Sequence, residues 1–201
     1  MYVIRHFLTI ITSSLAFVSF VCSYASAETL GSSEVEVYAA YINQSAKDIP
    51  ANKSLVIEST TELLPNVLTG DSIAEIKTLF PEASETVISN FVRVGASSVP
   101  FSIPRRLVLQ QISFSIADEE NIRKVFENDS LAQAWKQFYD AYPSATGLIR
   151  FSRVGIDAEK NQALLYVAHS CGGLCGNGFV VLLQLKWGRW VVVRSEHLWV
   201  S

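Results

Sequence analysis

Gln162-Ala163-Leu164-Leu165-Tyr166-Val167-Ala168-His169-Ser170-Cys171-Gly172-Gly173-Leu174-Cys175-Gly176-Asn177-Gly178 is the stretch whose reading decides the fold. Its first half is a strand, with Ala163, Leu165, Val167 and His169 on one face. Its second half is a tight, glycine-rich connection, and a further apolar run begins at Phe179. Two strands joined by so short a link pair antiparallel. Working outward, residues 148–154 form a preceding strand, 155–161 a polar turn, and 179–186, 190–194 and 198–200 the strands that follow. A two-residue turn at Trp187-Gly188 sets Leu185 opposite Trp190 and Leu183 opposite Val192. With Phe179 and Val181 these make a core face. The other face carries Val180, Leu182, Val191 and Val193 among Gln184, Lys186 and Arg189. It is more apolar than a wet sheet face needs, so those four valine and leucine positions are the candidate partner surface.

Upstream, the pattern is mainly helical. Ser32-Ser33-Glu34-Val35-Glu36 begins a helix, with hydroxyls to cap it and acids at the positive end of its dipole. Residues 54–59 are a first strand, Asp71-Ser72 starts a helix stopped by Pro81, and residues 82–94 are a helix ending at Gly95. Residues 97–106, with Pro100 and Pro104, read as a connection, and 107–114 as a strand. Two helices follow, 118–127 and 131–142. The second presents Leu131, Trp135, Phe138, Tyr139 and Tyr142 as a stripe for packing on a sheet. The expected class is α+β, a C-terminal antiparallel β-meander with helices packed on one face.

Residues 1–27 read as a signal peptide: Arg5 and His6, then an uncharged apolar run to Cys22, then Ala25-Ser26-Ala27 before Glu28. The run is shorter than the roughly 20 apolar residues of a spanning helix. Val21 is bulky where a lipidated cysteine follows a small residue. The mature chain, 28–201, is expected to be one domain, mostly helical over 28–96 and sheet-rich over 107–201, in the periplasm or secreted. The membrane enters only through the signal peptide during export. Losing Arg5 with the signal takes the formal charge of −3 to −4, no footprint for nucleic acid.

In an oxidising compartment Cys171 and Cys175 are expected to pair, with the glycines letting their Cα atoms approach. Two sharper readings use the same loop. One is a thiol-redox pair, although the spacing is not C-x-x-C and no βαβ pattern surrounds it. The other is a copper or zinc site from His169, Cys171 and Cys175, with His197 as a fourth ligand. Ser170 beside His169 is no triad, since adjacent strand residues face opposite ways. Arg153 is expected to make a structural ion pair, and no phosphate loop or dinucleotide fingerprint occurs. No catalytic constellation is complete and no cofactor is called for. A hydrolase with scattered carboxylates would need a cleft that the linear sequence does not reveal.

From about Gly147 to Ser201 the chain resembles a family of uncharacterised secreted bacterial proteins. The resemblance lies in Phe151-Ser152-Arg153-Val154-Gly155, Gln162-Ala163-Leu164-Leu165-Tyr166-Val167, Cys171-Gly172-Gly173-Leu174-Cys175-Gly176, Gly178, Leu182-Leu183, Gly188, Trp190 and Trp199-Val200-Ser201. Trp135, Phe138, Tyr139 and Tyr142-Pro143 share it, while Leu185, Trp187 and Val191 depart from it, standing where polar residues are expected. The resemblance implies a fold and no mechanism. The functional expectation is an exported binding or interaction module for an unknown protein or small ligand, with the His169, Cys171 and Cys175 loop as the thiol or metal alternative.

Overall fold

The computed structural model describes residues 29–65, 68, 72–109, 111–128 and 130–201. Residues 1–27, expected to be a signal peptide and including Cys22, lie outside the described residues. Helices α1 (Ser32–Ser45), α2 (Ser72–Leu79), α3 (Glu85–Val94), α4 (Glu119–Asn128) and α5 (Leu131–Ala141) accompany strands β1 (Ser54–Glu58), β2 (Ser113–Ala117), β3 (Ala145–Phe151), β4 (Gly155–Asp157), β5 (Gln162–Gly172), β6 (Cys175–Lys186) and β7 (Arg189–Val200). One sheet runs β2-β1-β3-β5-β6-β7, with the short β4 beside β5. The pairs from β3 to β7 are antiparallel, whereas β1 joins β3 and β2 in parallel. The α+β class and the C-terminal meander are as expected. No helix among the described residues is long and apolar enough to cross a membrane.

The helices divide between the two faces of the sheet instead of gathering on one. On one face, Ala163, Leu165 and Val167 of β5 and Val181 and Leu183 of β6 pack against Val37, Tyr38 and Ile42 of α1. On the other, Leu164, Tyr166 and Ala168 of β5 and Val180 and Leu182 of β6 pack against Val87, Ile88 and Phe91 of α3. Further along that second face, Val56 and Leu148 receive Trp135 and Phe138 of the α5 stripe. Val180 and Leu182 are therefore no partner surface: they are 0% and 1% exposed. Their apolar character serves an internal layer, and of the four candidates only Val191 and Val193 reach solvent. Helix α3 comes close because Gly155 of β4 has no side chain, as a Cβ there would strike the Phe91 backbone. The cap of α3 is tied to the same strands: Ser84 Oγ accepts from Val87 N at 3.0 Å and donates to Asp157.

Two expected elements differ. Residues 107–114 do not form one strand. A 3₁₀ turn spans Arg105–Leu107, and pairing starts only at Ser113. Asn43 of α1 explains this, because its carboxamide donates to Leu107 O and accepts from Leu109 N, both at 2.8 Å. Backbone groups satisfied by a side chain need no neighbouring strand. Phe101, Ile103, Val108 and Ile112 instead cover the α1 face as a strap. Conversely, residues 190–194 and 198–200 join into the single strand β7. The turn is as read, with Leu185 opposite Trp190 and Leu183 opposite Val192, and positive φ at both Trp187 and Gly188. Beyond it, register shifts at Leu182/Leu183 and Gly178/Phe179 absorb Val193 and Leu198 as bulges. The free edge of β7 is blunted by Gln44 of α1, which accepts from Val192 N at 3.1 Å and donates to Trp190 O at 3.3 Å.

The ion pair expected of Arg153 exists, and its partner is Glu34. Both side chains are 8% exposed. One Glu34 oxygen accepts from Arg153 Nε and Val154 N, and the other from an Arg153 terminal nitrogen and from Gly31 N ahead of α1. Tyr38 on the next turn donates to Ser152 O at 2.8 Å. Together these clamp α1 onto the crossing between β3 and β4. Glu34→Ala would leave the Arg153 charge buried without this carboxylate, and the expected loss is about 3–5 kcal/mol in urea unfolding. A loss below about 1 kcal/mol would show that the clamp is dispensable.

Candidate functional site

Between the C-terminal half of α1 and the sheet lies a mainly apolar cleft of about 250 Å³. Tyr41, Ile42 and Ala46 line it from the helix side, and Ile149, Val167 and Phe179 from the sheet. These are the residues that alternate onto the α1 face, so the cleft follows directly from strand periodicity. Its polar groups converge at one end, where His169 of β5 and Asn177 of β6 are directly paired.

Asn177 Oδ1 is buried there and has no hydrogen-bond partner. Leaving a buried acceptor unmet costs on the order of 1–3 kcal/mol, so such a group calls for a reason. His169 Nε2 lies 3.1 Å from Thr146 O. A carbonyl only accepts, so the ring carries its proton on Nε2 and keeps Nδ1 as an acceptor. Burial lowers the His169 pKa, and the bond to Thr146 opposes this only in part. Burial likewise raises that of Tyr41, against a hydrogen bond with Ser45. The end of the cleft is thus a set of neutral groups rich in acceptors.

Gly147 makes room for this arrangement. Its φ is +138°, and a Cβ there would collide with Ser170 O and the His169 ring. The histidine can rest over β3 only because that position has no side chain.

The glycine-rich connection lies beside the cleft. Cys171 and Cys175 sit at disulfide distance, with Cα atoms 5.0 Å apart. A bridge over so short a loop stabilises by about 2 kcal/mol on the chain-entropy model. Tyr139 of α5 donates to Cys171 O at 2.9 Å, which anchors the connection to the aromatic stripe. His197 stands on the same face one strand further out, on β7, where it pairs with Phe179 and its ring lies 4.4 Å from that of Phe179. Among the described residues no three His, Cys, Asp or Glu side chains gather closely enough to hold a metal ion, so His169, Cys171, Cys175 and His197 are not assembled as a ligand set.

Sequence reasoning reached His169 and missed Asn177, Tyr41 and Thr146. Asn177 sat inside a stretch read as loop. The signal that finds it is the antiparallel register, in which an eight-residue step from His169 across the Gly172-Gly173 link returns to Asn177 on the same face. No family model, curated protein or solved structure matches the chain.

The lowered pKa of His169 has a definite linkage sign. In the window between its folded and unfolded values the unfolded chain binds more protons. The stabilisation from keeping the ring neutral is complete above the unfolded value, about 6.5, and is lost as pH falls through the folded one. The stability difference between wild type and His169→Gln should therefore shrink on going from about pH 7.5 to about pH 5. A difference that stays constant across that range in urea titrations would contradict the assignment.

Proposed function

We propose that the chain is an exported binding module, acting in the periplasm or secreted, that takes a small ligand with an apolar body and one hydrogen-bond donor into the cleft under α1. The observation that carries this reading is the buried, unpartnered Asn177 Oδ1 at the polar end of an otherwise apolar cavity. Small-molecule sites have this composition: apolar walls for affinity and a few placed polar groups for orientation. The polar groups present are a carboxamide, hydroxyls and a neutral histidine engaged with a carbonyl, a set that orients a guest by hydrogen bonds and favours binding over catalysis.

Phenol and toluene are nearly isosteric probes that differ in a single donor. Calorimetry or thermal shift is expected to show phenol binding about tenfold tighter than toluene, as one hydrogen bond to an unmet acceptor implies. Asn177→Leu should abolish or invert that preference. Binding of neither probe, or equal affinities unchanged in Asn177→Leu, would defeat the proposal.

Export rests on the Arg5 to Ala27 pattern. The intact mass of protein recovered from an oxidising compartment is expected to begin at Glu28 and to gain two hydrogens on reduction of the Cys171–Cys175 bridge. A full-length mass, or free thiols before reduction, would refute the export reading or the pairing respectively.

A further inference from the structure

The sheet face opposite the α1 cleft has a gap in its helical cover. Val56 and Leu148 lie under α5, and Leu164 and Tyr166 lie under α3. Between these two helical layers β1 ends in Glu58, and β3 presents Arg150 on the same face. The gap is a groove of about 400 Å³ lined by Glu58, Thr60, Glu62, Ser98, Glu119 and Arg150. Polar side chains lying between two apolar helical layers are not explained by the packing of either layer.

The charges in the groove are only partly matched to one another. Glu58 is nearly buried, its side chain 10% exposed, and it accepts from Arg150 Nε. The Arg150 side chain is 27% exposed, and its terminal nitrogens bond none of the described residues. A guanidinium carries five N–H donors in a planar fork, so the edge that best fits a carboxylate stays open. Glu62 is held beside β3 by its backbone, with its N–H on Phe151 O at 2.7 Å. Its Oε2 is buried without a hydrogen-bond partner. Burial raises the pKa of both Glu58 and Glu62, with the Arg150 charge opposing it in each case, so all three groups share one electrostatic environment.

From this arrangement we infer that the groove is a second binding site, for an α-amino acid zwitterion: the ligand's carboxylate on the open edge of Arg150 and its ammonium on Glu62. A simple anion would meet Arg150 but face Glu62 and Glu119. A simple cation would meet Glu62 but leave the guanidinium fork unmatched. A divalent metal would need a cluster of acids, and no such group of three exists among the described residues. A ligand carrying both charges satisfies the two open groups of this one groove together. The site lies across the sheet from Asn177 and does not depend on the reading of the cleft.

Glycine is the smallest probe, with acetate and methylammonium as its two halves. Isothermal titration is expected to give saturable binding of glycine and at least about tenfold weaker binding of either half. Arg150→Gln would strand buried Glu58, so the isosteric Glu62→Gln is the better variant. It should weaken glycine binding at least about tenfold while leaving the thermal melting curve and the phenol titration unchanged. Methylammonium binding as tight as glycine would overturn the zwitterion assignment, as would calcium binding that competes with glycine. Absence of glycine binding, or an unchanged affinity in Glu62→Gln, would overturn the site.

Discussion

Strands β5 and β6 have no polar face through their central residues. From Ala163 to Ala168 every residue of β5 is buried, as are Val180 to Leu183 of β6. A strand with that pattern is stable only where both sides of the sheet are covered, since each exposed aliphatic side chain forfeits roughly 1.5–3 kcal/mol of burial. The remaining architecture answers this demand. Helix α1 and the strap carrying Phe101, Ile103, Val108 and Ile112 close one side. Helices α2 and α3 close the other, and α4 and α5 continue that layer over β1 and β3. Strand β7, at the sheet edge beyond β6, is more mixed, and none of its residues is fully buried.

Covering a sheet is non-directional, but placing a helix on it to within an ångström is not. Glu34 and Arg153 supply the direction. A buried ion pair is weak as a source of net stability, because desolvating two charges offsets much of their attraction. Its geometry is nevertheless strict, with the carboxylate taking donors from Arg153, Val154 and Gly31. Breaking it would free α1 to slide. Asn43 and Gln44, near the other end of the same helix, bind the backbone of the strap and of β7. Helix α1 is thus fastened at both ends. The space between its C-terminal half and the sheet is left as a cleft because the small side chains Ser45 and Ala46 face a wall of β-branched and aromatic residues.

Both candidate sites occupy places where the apolar layers stop. Under α1 the apolar wall ends at the His169–Asn177 pair. On the opposite face it ends where the α3 and α5 layers part, over Glu58 and Arg150. Polar groups at such borders are partly desolvated without being fully paired, and these are the conditions under which a guest can supply a missing partner. The two sites have different chemistry, one neutral and one charged, because Ile149 and Arg150 are neighbours on one strand and point to opposite faces.

The elements that local chemistry dictates were legible in the chain. The β5–β6 hairpin, the Trp187-Gly188 turn and its register follow from period-two alternation and turn residues. The α5 stripe follows from helical spacing, and the approach of Cys171 to Cys175 from the glycines between them. What depended on distant residues was not legible. Residues 107–114 alternate like a strand, and only Asn43, some 65 positions earlier, removes that option by taking the backbone groups. Val180 and Leu182 looked like an exposed surface because a sequence states that a face is apolar without stating what covers it, and α3 is 90 residues away. Arg153 announced the need for an acid but not which one. The amino-acid order by itself determined the strands β5 and β6, the register of the Trp187-Gly188 turn and the alternation of sides along those two strands, since these rest on contacts within a few residues. The tertiary structure alone decided which faces are covered, which charges meet and where cavities remain, because those are set by loop closure between segments that share no local signal.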